Sequence, residues 1–327
     1  MSNAPQHAQR CAVILGITGQ DGAYLARRLL HDGYRVFGTS RSIAADVSGL
    51  DYLGIKSQVT VMQLTPASKE ELTDFLCQLK PVEIYNLSGQ SSVGLSFSQP
   101  DRTFESIASA HIRLLEVVRD CGLQCRIFNA GSGECFGAIE AGQKSRAGDP
   151  FQPLSPYAVA KVAAAQMTEY FRENHGLFAC TGFLYNHESP LRKEQFVTCK
   201  IVDAAVRIFQ GSSDPLHLGN IEVFRDWGFA GDYADAMVRM LRHPQPVDLV
   251  IASGRAVSLA HFVELVFRAV DLDWRDHTET SASLLRKSDI AYSCGDPDPA
   301  SQYLQWSATL SLEDVVDMLV KARLARA

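Results

Sequence analysis

Residues 11–33 read CAVILGITGQDGAYLARRLLHDG. The apolar run that opens this stretch has the composition of a buried strand. It stops at glycines spaced G-x-x-G-x-x-G (Gly16, Gly19, Gly22), after which apolar residues recur at helical spacing as far as Gly33. Strand, glycine turn and helix in that order let backbone N–H groups approach a pyrophosphate at the helix N-terminus. The spacing differs from the usual G-x-G-x-x-G, and glycines serving only close helix–sheet packing would look the same. Position between strand and helix favours cofactor binding, with Gly16, Thr18, Gly19, Gln20, Asp21 and Gly22 as candidate contacts.

Outward from this unit the pattern repeats. RVFGTS and VTVMQL read as strands, SKEELTDFLCQL as a helix and VEIYNL as a strand. A helix near 102–120, the strand CRIFNAG at 125–131 and a long helix over Tyr157–Asn174 follow. Such alternation predicts an α/β fold, a doubly wound, mostly parallel Rossmann-type sheet with helices on both faces. FACTGFLYN returns the chain to the sheet. Helices are expected in PLRKEQFVTCKIVDAAVRIF, in GDYADAMVRMLRHP and over Leu259–Val270 and Leu312–Leu324, with a short strand at LVIAS. The expected division is a dinucleotide-binding domain over 11–180, with later segments rejoining its sheet, and a smaller C-terminal substrate-binding lobe drawn mainly from 181–327.

The chain has 327 residues, 46% of them hydrophobic, enough for a substantial core. Its 31 Lys and Arg against 37 Asp and Glu give a formal charge of −6, which offers no general attraction to nucleic acid or anionic membrane. Eight cysteines without a repeated C-x-x-C pair argue against structural zinc and a disulfide framework, and reduced thiols in a cytoplasm are expected. The opening MSNAPQHAQR lacks a signal-peptide core, and no run of about 18 apolar residues follows.

Arg41 stands just after the second strand, where an acidic residue would often receive the ribose hydroxyls of NAD. A guanidinium suits the extra phosphate of NADP instead, so NADP is the expected cofactor; a solvated arginine would give the same sequence. At the reacting end, Tyr157 and Lys161 are four residues apart and share a helix face. A lysine charge beside the phenol favours phenolate and proton exchange with a sugar hydroxyl. Ser132 adds a hydroxyl after CRIFNA, and Glu134, two positions on, reaches the same region if the loop is near-extended. Simple carbonyl reduction has no need of that carboxylate. An enzyme that first makes a 4-keto sugar could use it to remove the acidified C5 proton. His187 and Glu188 in NHESP lack companion ligands, so no metal is expected.

GITGQDGAYLARRLL, IYNLSGQSSVGLSF, SPYAVAK, FLYNHESP, FVTCKI and GNIEVFRDWGFAGDYADAM together resemble the GDP-mannose 4,6-dehydratase family of extended short-chain dehydrogenase/reductases over most of 11–241. The resemblance implies Ser132, Glu134, Tyr157 and Lys161 as catalytic residues, with Tyr157, Lys161 and Leu87 also on the cofactor. It implies Ser91, Asn186, Arg192, Val197, Lys200, Arg225 and Arg286 on a GDP-sugar. Ser132 replaces the family's threonine, Gln63 replaces an acidic residue near the adenine, and Cys199 interrupts a basic pattern. The loop after Arg41 lacks the family's next arginine, which favours a homodimer, with a tetramer as the alternative. The implied reaction is dehydration of GDP-mannose to GDP-4-keto-6-deoxymannose by internal hydride transfer from C4 to C6. Another GDP-hexose or heptose, a GDP-sugar epimerase or reductase, and a noncatalytic sugar-nucleotide sensor remain open.

Overall fold

The computed structural model describes residues 10–42, 46–64, 68–281, 284 and 289–326. The first half of the chain runs β1 (Cys11–Leu15), α1 (Gln20–His31), β2 (Arg35–Ser40), α2 (Ser48–Tyr52), β3 (Val59–Gln63), α3 (Lys69–Leu79) and β4 (Glu83–Asn86). It continues through α4 (Val93–Ser98), α5 (Pro100–Phe104), α6 (Ala110–Asp120), β5 (Arg126–Ser132), α7 (Pro156–His175) and β6 (Phe178–Leu184). Next come β7 (Asn186–Glu188), α8 (Val197–Phe209), β8 (Leu216–Leu218), β9 (Phe224–Phe229) and α9 (Ala230–Arg242). The last elements are β10 (Leu249–Ile251), β11 (Ala256–Ser258), α10 (Leu259–Arg268), β12 (Thr278–Thr280), α11 (Asp298–Leu304) and α12 (Leu312–Leu324).

Seven strands form one sheet in the order β10-β6-β5-β4-β1-β2-β3, every pair parallel. This is the doubly wound Rossmann order, whose ligands bind beyond the carboxyl ends of the strands. The run AVIL in β1 is apolar throughout because both faces are covered. Ala12 and Ile14 pack with Leu25 and Leu29 of α1 and Met237 of α9, whereas Val13 and Leu15 pack with Leu72 and Leu76 of α3 and Leu114 of α6. The helix expected near 102–120 starts at Pro100 and carries a π-helical segment at Glu105–Ser109 between α5 and α6.

The remaining strands lie outside this sheet. β9 is flanked by β11, antiparallel, and β7, parallel, while β12 pairs with β8. Ile201 and Ala205 of α8, Phe262 and Val266 of α10 and Val315 and Leu319 of α12 close a separate apolar core with Trp227 of β9. Among the described residues no helix is long and apolar enough to cross a membrane.

Candidate active site

The glycine turn is built for close approach. Gly16 holds φ +90°, its N–H donates to the Thr39 carbonyl (3.1 Å), and its carbonyl accepts from Gly19 N–H (3.1 Å). A Cβ at Gly22 would lie 2.5 Å from the Gly16 oxygen and 2.6 Å from Ile17 Cα. Gly19 caps α1 without a side-chain hydrogen bond, which leaves the first-turn N–H groups to a ligand. These features fit a dinucleotide pyrophosphate.

Gln20 and Asp21 turn toward the substrate half of the chain. The Gln20 amide donates to the His187 carbonyl (3.0 Å) and accepts from the Ser189 hydroxyl (2.8 Å). His187 has an acceptor at each ring nitrogen, the Tyr185 carbonyl at 2.6 Å from Nδ1 and Asp21 Oδ1 at 2.9 Å from Nε2, which makes it an imidazolium. Burial works to raise the Asp21 carboxyl, but the charge and hydrogen bond of His187, helped by Gln20 and Arg192, outweigh it and hold the group at about 2. Burial would lower His187, and Asp21 raises it above the ordinary histidine value.

At the reacting end, Ser155 caps α7 by accepting from Ala158 N–H (3.1 Å), with Pro156 in the first turn. One turn on, Tyr157 and Lys161 lie side by side beneath the carboxyl end of β5. Burial pushes the Tyr157 phenol above its usual range, and a hydrogen bond to Ser132 works the other way. Burial pulls the Lys161 ammonium down to about 8. Lys161 Nζ donates to the Ala130 carbonyl at 2.6 Å and stands 5.8 Å from the centre of the Tyr157 ring. In this structure the ammonium is therefore engaged by backbone, and the tyrosine is a phenol. Glu134 sits in a 3-10 turn, Gly133–Phe136, not in the extended loop anticipated; Ser132 Oγ caps this turn by accepting Glu134 N–H at 3.2 Å.

Ser132, Glu134, Tyr157 and Lys161 all line one cavity of about 500 Å³ at the carboxyl ends of β4 and β5. Asp21, Leu87, Ser91 and Asn186 line it too, as do Arg192, Val197, Lys200 and Arg225. Gly16, Thr18, Gly19, Gln20, Gly22 and Arg41 are not on its wall. Arg286 lies outside the described residues. Arg192 stacks over Phe196 (3.7 Å) with Nε 3.2 Å from Glu188, whose buried carboxyl is raised by desolvation against the pull of Arg192 and a hydrogen bond from Thr198. Lys200 Nζ donates to the His217 carbonyl at 2.6 Å. Arg225, 8% exposed, pairs with Asp289 at 2.9 Å and donates to the Phe224 and Ile290 carbonyls. Asp289, Gln90 and Trp227 also line the cavity; Gln90 and Trp227 lie within quoted stretches but were not singled out there, and Asp289 lies beyond them. No group of three or more metal-ligating side chains was found among the described residues.

The family model described as GDP-mannose 4,6 dehydratase matches residues 13–319. The chain belongs to the GDP-mannose 4,6-dehydratase family. GDP-mannose 4,6 dehydratase 1 of Arabidopsis thaliana is 40% identical over 323 residues, 95% of this chain and 89% of that protein. Among solved structures, DesIV, the dTDP-glucose 4,6-dehydratase of Streptomyces venezuelae, solved with NAD and TYD, superposes with TM-score 0.86 at 18% identity over 95% of this chain and 96% of its own. The Thermus thermophilus UDP-glucose 4-epimerase, complexed with NAD, gives 0.85 at 19% identity over 95% and 98%. RMD from Pseudomonas aeruginosa, solved with NADPH, gives 0.81 at 19% identity over 98% and 100%. The shared Rossmann-type fold follows from these superpositions.

The expectation of an NADP-dependent enzyme is corrected. NAD is the dinucleotide in the dehydratase and epimerase complexes. Arg41, on which NADP rested, is an exposed residue one position beyond β2, and residues 43–45 of the loop that would complete a phosphate site lie outside those described. An exposed arginine at a strand end needs no ligand to account for it.

Proposed function

We propose that the chain dehydrates GDP-mannose to GDP-4-keto-6-deoxymannose with NAD, and that Ser132, Glu134, Tyr157 and Lys161 perform the proton chemistry. The single observation that carries this assignment is the convergence of those four side chains on one cavity. The turn Gly16–Gly22 and the first-turn N–H groups of α1 would hold the dinucleotide, with Leu87 against it. Bound there, it would supply a reversible hydride acceptor for C4 and donor for C6, leaving no net redox change.

With its own proton released to solvent, Tyr157 accepts the C4 hydroxyl proton as phenolate, and Ser132, within hydrogen-bond reach of it, donates to the oxygen as it becomes a carbonyl. The Lys161 ammonium lowers the cost of the phenolate. A C4 ketone makes the C5 proton acidic. Glu134 removes it and delivers a proton to the C6 hydroxyl, which departs as water; as C6 is reduced, Tyr157 gives its proton to C5 and returns to phenolate. Arg192, Lys200 and Arg225 supply cationic charge for the diphosphate, and Ser91, Asn186 and Val197 line the same wall. Residues 11–180, joined by later segments such as β10 that return to their sheet, serve the dinucleotide, and the lobe drawn mainly from 181–327 serves the nucleotide-sugar. The homodimer is supported by exposed apolar side chains on neighbouring helices, Leu95 and Phe97 on α4, Phe104 on α5 and Val159 on α7.

The test is time-resolved NMR of the protein with NAD and GDP-mannose. A C6 methyl should appear beside a C4 ketone without net accumulation of reduced cofactor. No conversion despite proven binding of both ligands would reject the assignment.

A further inference from the structure

Five of the eight cysteines, Cys125, Cys135, Cys180, Cys199 and Cys294, are buried, and burial pushes each of their thiols upward. Cys11, Cys77 and Cys121 are partly exposed. Cys77 lies in the last turn of α3, and Cys121 is the C-cap residue of α6. Their sulfurs stand 2.8 Å apart, although the two positions are 44 residues apart in the chain. This is inside van der Waals contact and about 0.8 Å beyond an S–S bond of about 2.05 Å. Lys69 already ties the same two helices together, reaching Glu116 at 3.1 Å and Asp120 at 3.2 Å.

We propose that Cys77 and Cys121 are a redox modification site, closed by a peroxide to an intramolecular disulfide and reopened by a dithiol. The first step joins Cys77 Sγ, as thiolate, to one peroxide oxygen; the O–O bond breaks and hydroxide leaves, becoming water with the proton Cys77 had released, which gives a sulfenic acid. Cys121 Sγ then attacks Cys77 Sγ, the S–O bond breaks, and the leaving hydroxide takes the Cys121 proton. Two thiols and one hydrogen peroxide give one disulfide and two waters, with two electrons passing from sulfur to oxygen. The order follows from the surroundings. The hydrogen bond in which Cys121 holds the proton shared with Cys77, together with burial and the nearby Asp120, raises the Cys121 thiol to about 11, so Cys121 keeps its proton until the second step.

The consequence is confined to stability. α3 and α6 lead into β4 and β5, so the pair sits at the amino ends of those strands, whereas Ser132 ends β5 at the opposite edge of the sheet. Closure constrains the unfolded chain between the two cysteines without touching the cavity.

Full-length protein titrated with hydrogen peroxide should lose the mass of two hydrogens, regain it with dithiothreitol, and yield a linked Cys77–Cys121 peptide. The oxidised form should show a higher thermal midpoint and an unchanged initial rate. Cys77→Ser should abolish the mass loss, and Cys11→Ser should not. Oxygen added at either cysteine without a linked peptide, a link to Cys11 or to a second chain, a lowered midpoint or an altered rate would each overturn the proposal. The peptide map is read on the unmodified sequence, so it stands whether or not a serine variant folds.

Discussion

Lys161 offers a test in which stability and activity move in opposite directions. Its side chain is 8% exposed, and burial lowers the ammonium from 10.5 to about 8. Below about pH 8 the cofactor-free protein therefore carries a charge that the unfolded chain solvates better, at a cost of about 3 kcal/mol. Lys161→Met keeps the length of the side chain and removes the charge. It also removes the hydrogen bond to the Ala130 carbonyl, worth about 1 to 2 kcal/mol when a buried partner is left unsatisfied. The expected balance near neutral pH is a cofactor-free variant about 1 to 2 kcal/mol more stable than the parent and without turnover. Between about 8 and 10.5 the unfolded parent binds more protons than the folded one, so parent stability rises with pH through that window relative to the variant. Above 10.5 only the lost hydrogen bond remains, and the order reverses. Urea unfolding of both cofactor-free proteins along this pH series measures the difference, in which groups common to both cancel. A gap that does not change with pH, or a variant already less stable near neutrality, refutes the account of Lys161 as a charged group destabilised by burial.

Glu134→Gln should slow dehydration by roughly 10² to 10⁴ while GDP-mannose binding persists, measured by NMR turnover and calorimetry; undiminished turnover would remove Glu134 from the proton path. Gly22→Ala should destabilise the protein, since the clash with Gly16 and Ile17, about 1 to 3 kcal/mol, exceeds the gain in helix propensity of about 1 kcal/mol, and should weaken NAD binding; an unfolding curve at or above the parent's would show that the turn yields easily. In fluorescence titrations the parent should bind NAD at least as tightly as NADP, and Arg41→Ala should leave NAD affinity unchanged. Tighter NADP binding that Arg41→Ala abolishes would reverse the correction made above.

The parallel sheet was legible because its signal is local. Its first strand is an apolar run buried on two faces, as Ala12 and Ile14 against Val13 and Leu15 illustrate, and is followed by a turn and helix whose period differs from its own. Tyr157, Lys161 and Ser132 were legible for the same reason, since four residues along one helix and the end of one strand fix their neighbourhood. NHESP was not. Its polar side chains carry no strand period, yet Asn186–Glu188 is a strand because Asn186 pairs with Trp227 and Glu188 with Phe229, residues some 40 positions later.

FRDWGF shows the same limit from the other side. Arg225 and Asp226 are charged residues in the middle of a strand, 8% and 0% exposed. Hydropathy places both in water. Burial becomes tolerable only because each is answered by a distant partner: Arg225 by Asp289 and the Ile290 carbonyl, Asp226 by N–H groups of Ser253 and Gly254 and by the Ser253 hydroxyl. The substrate-facing half of this molecule is thus held by pairings between segments that are individually uninformative, and the dinucleotide half by segments that are each self-explanatory. Asp21 and Gln20 join the two, since the first turn of the most legible helix is bonded to His187 and Ser189 in and beside the least legible strand. That junction places the glycine turn and the sugar-facing wall in a fixed relation, which the transfer of one hydride between two carbons of the same sugar requires.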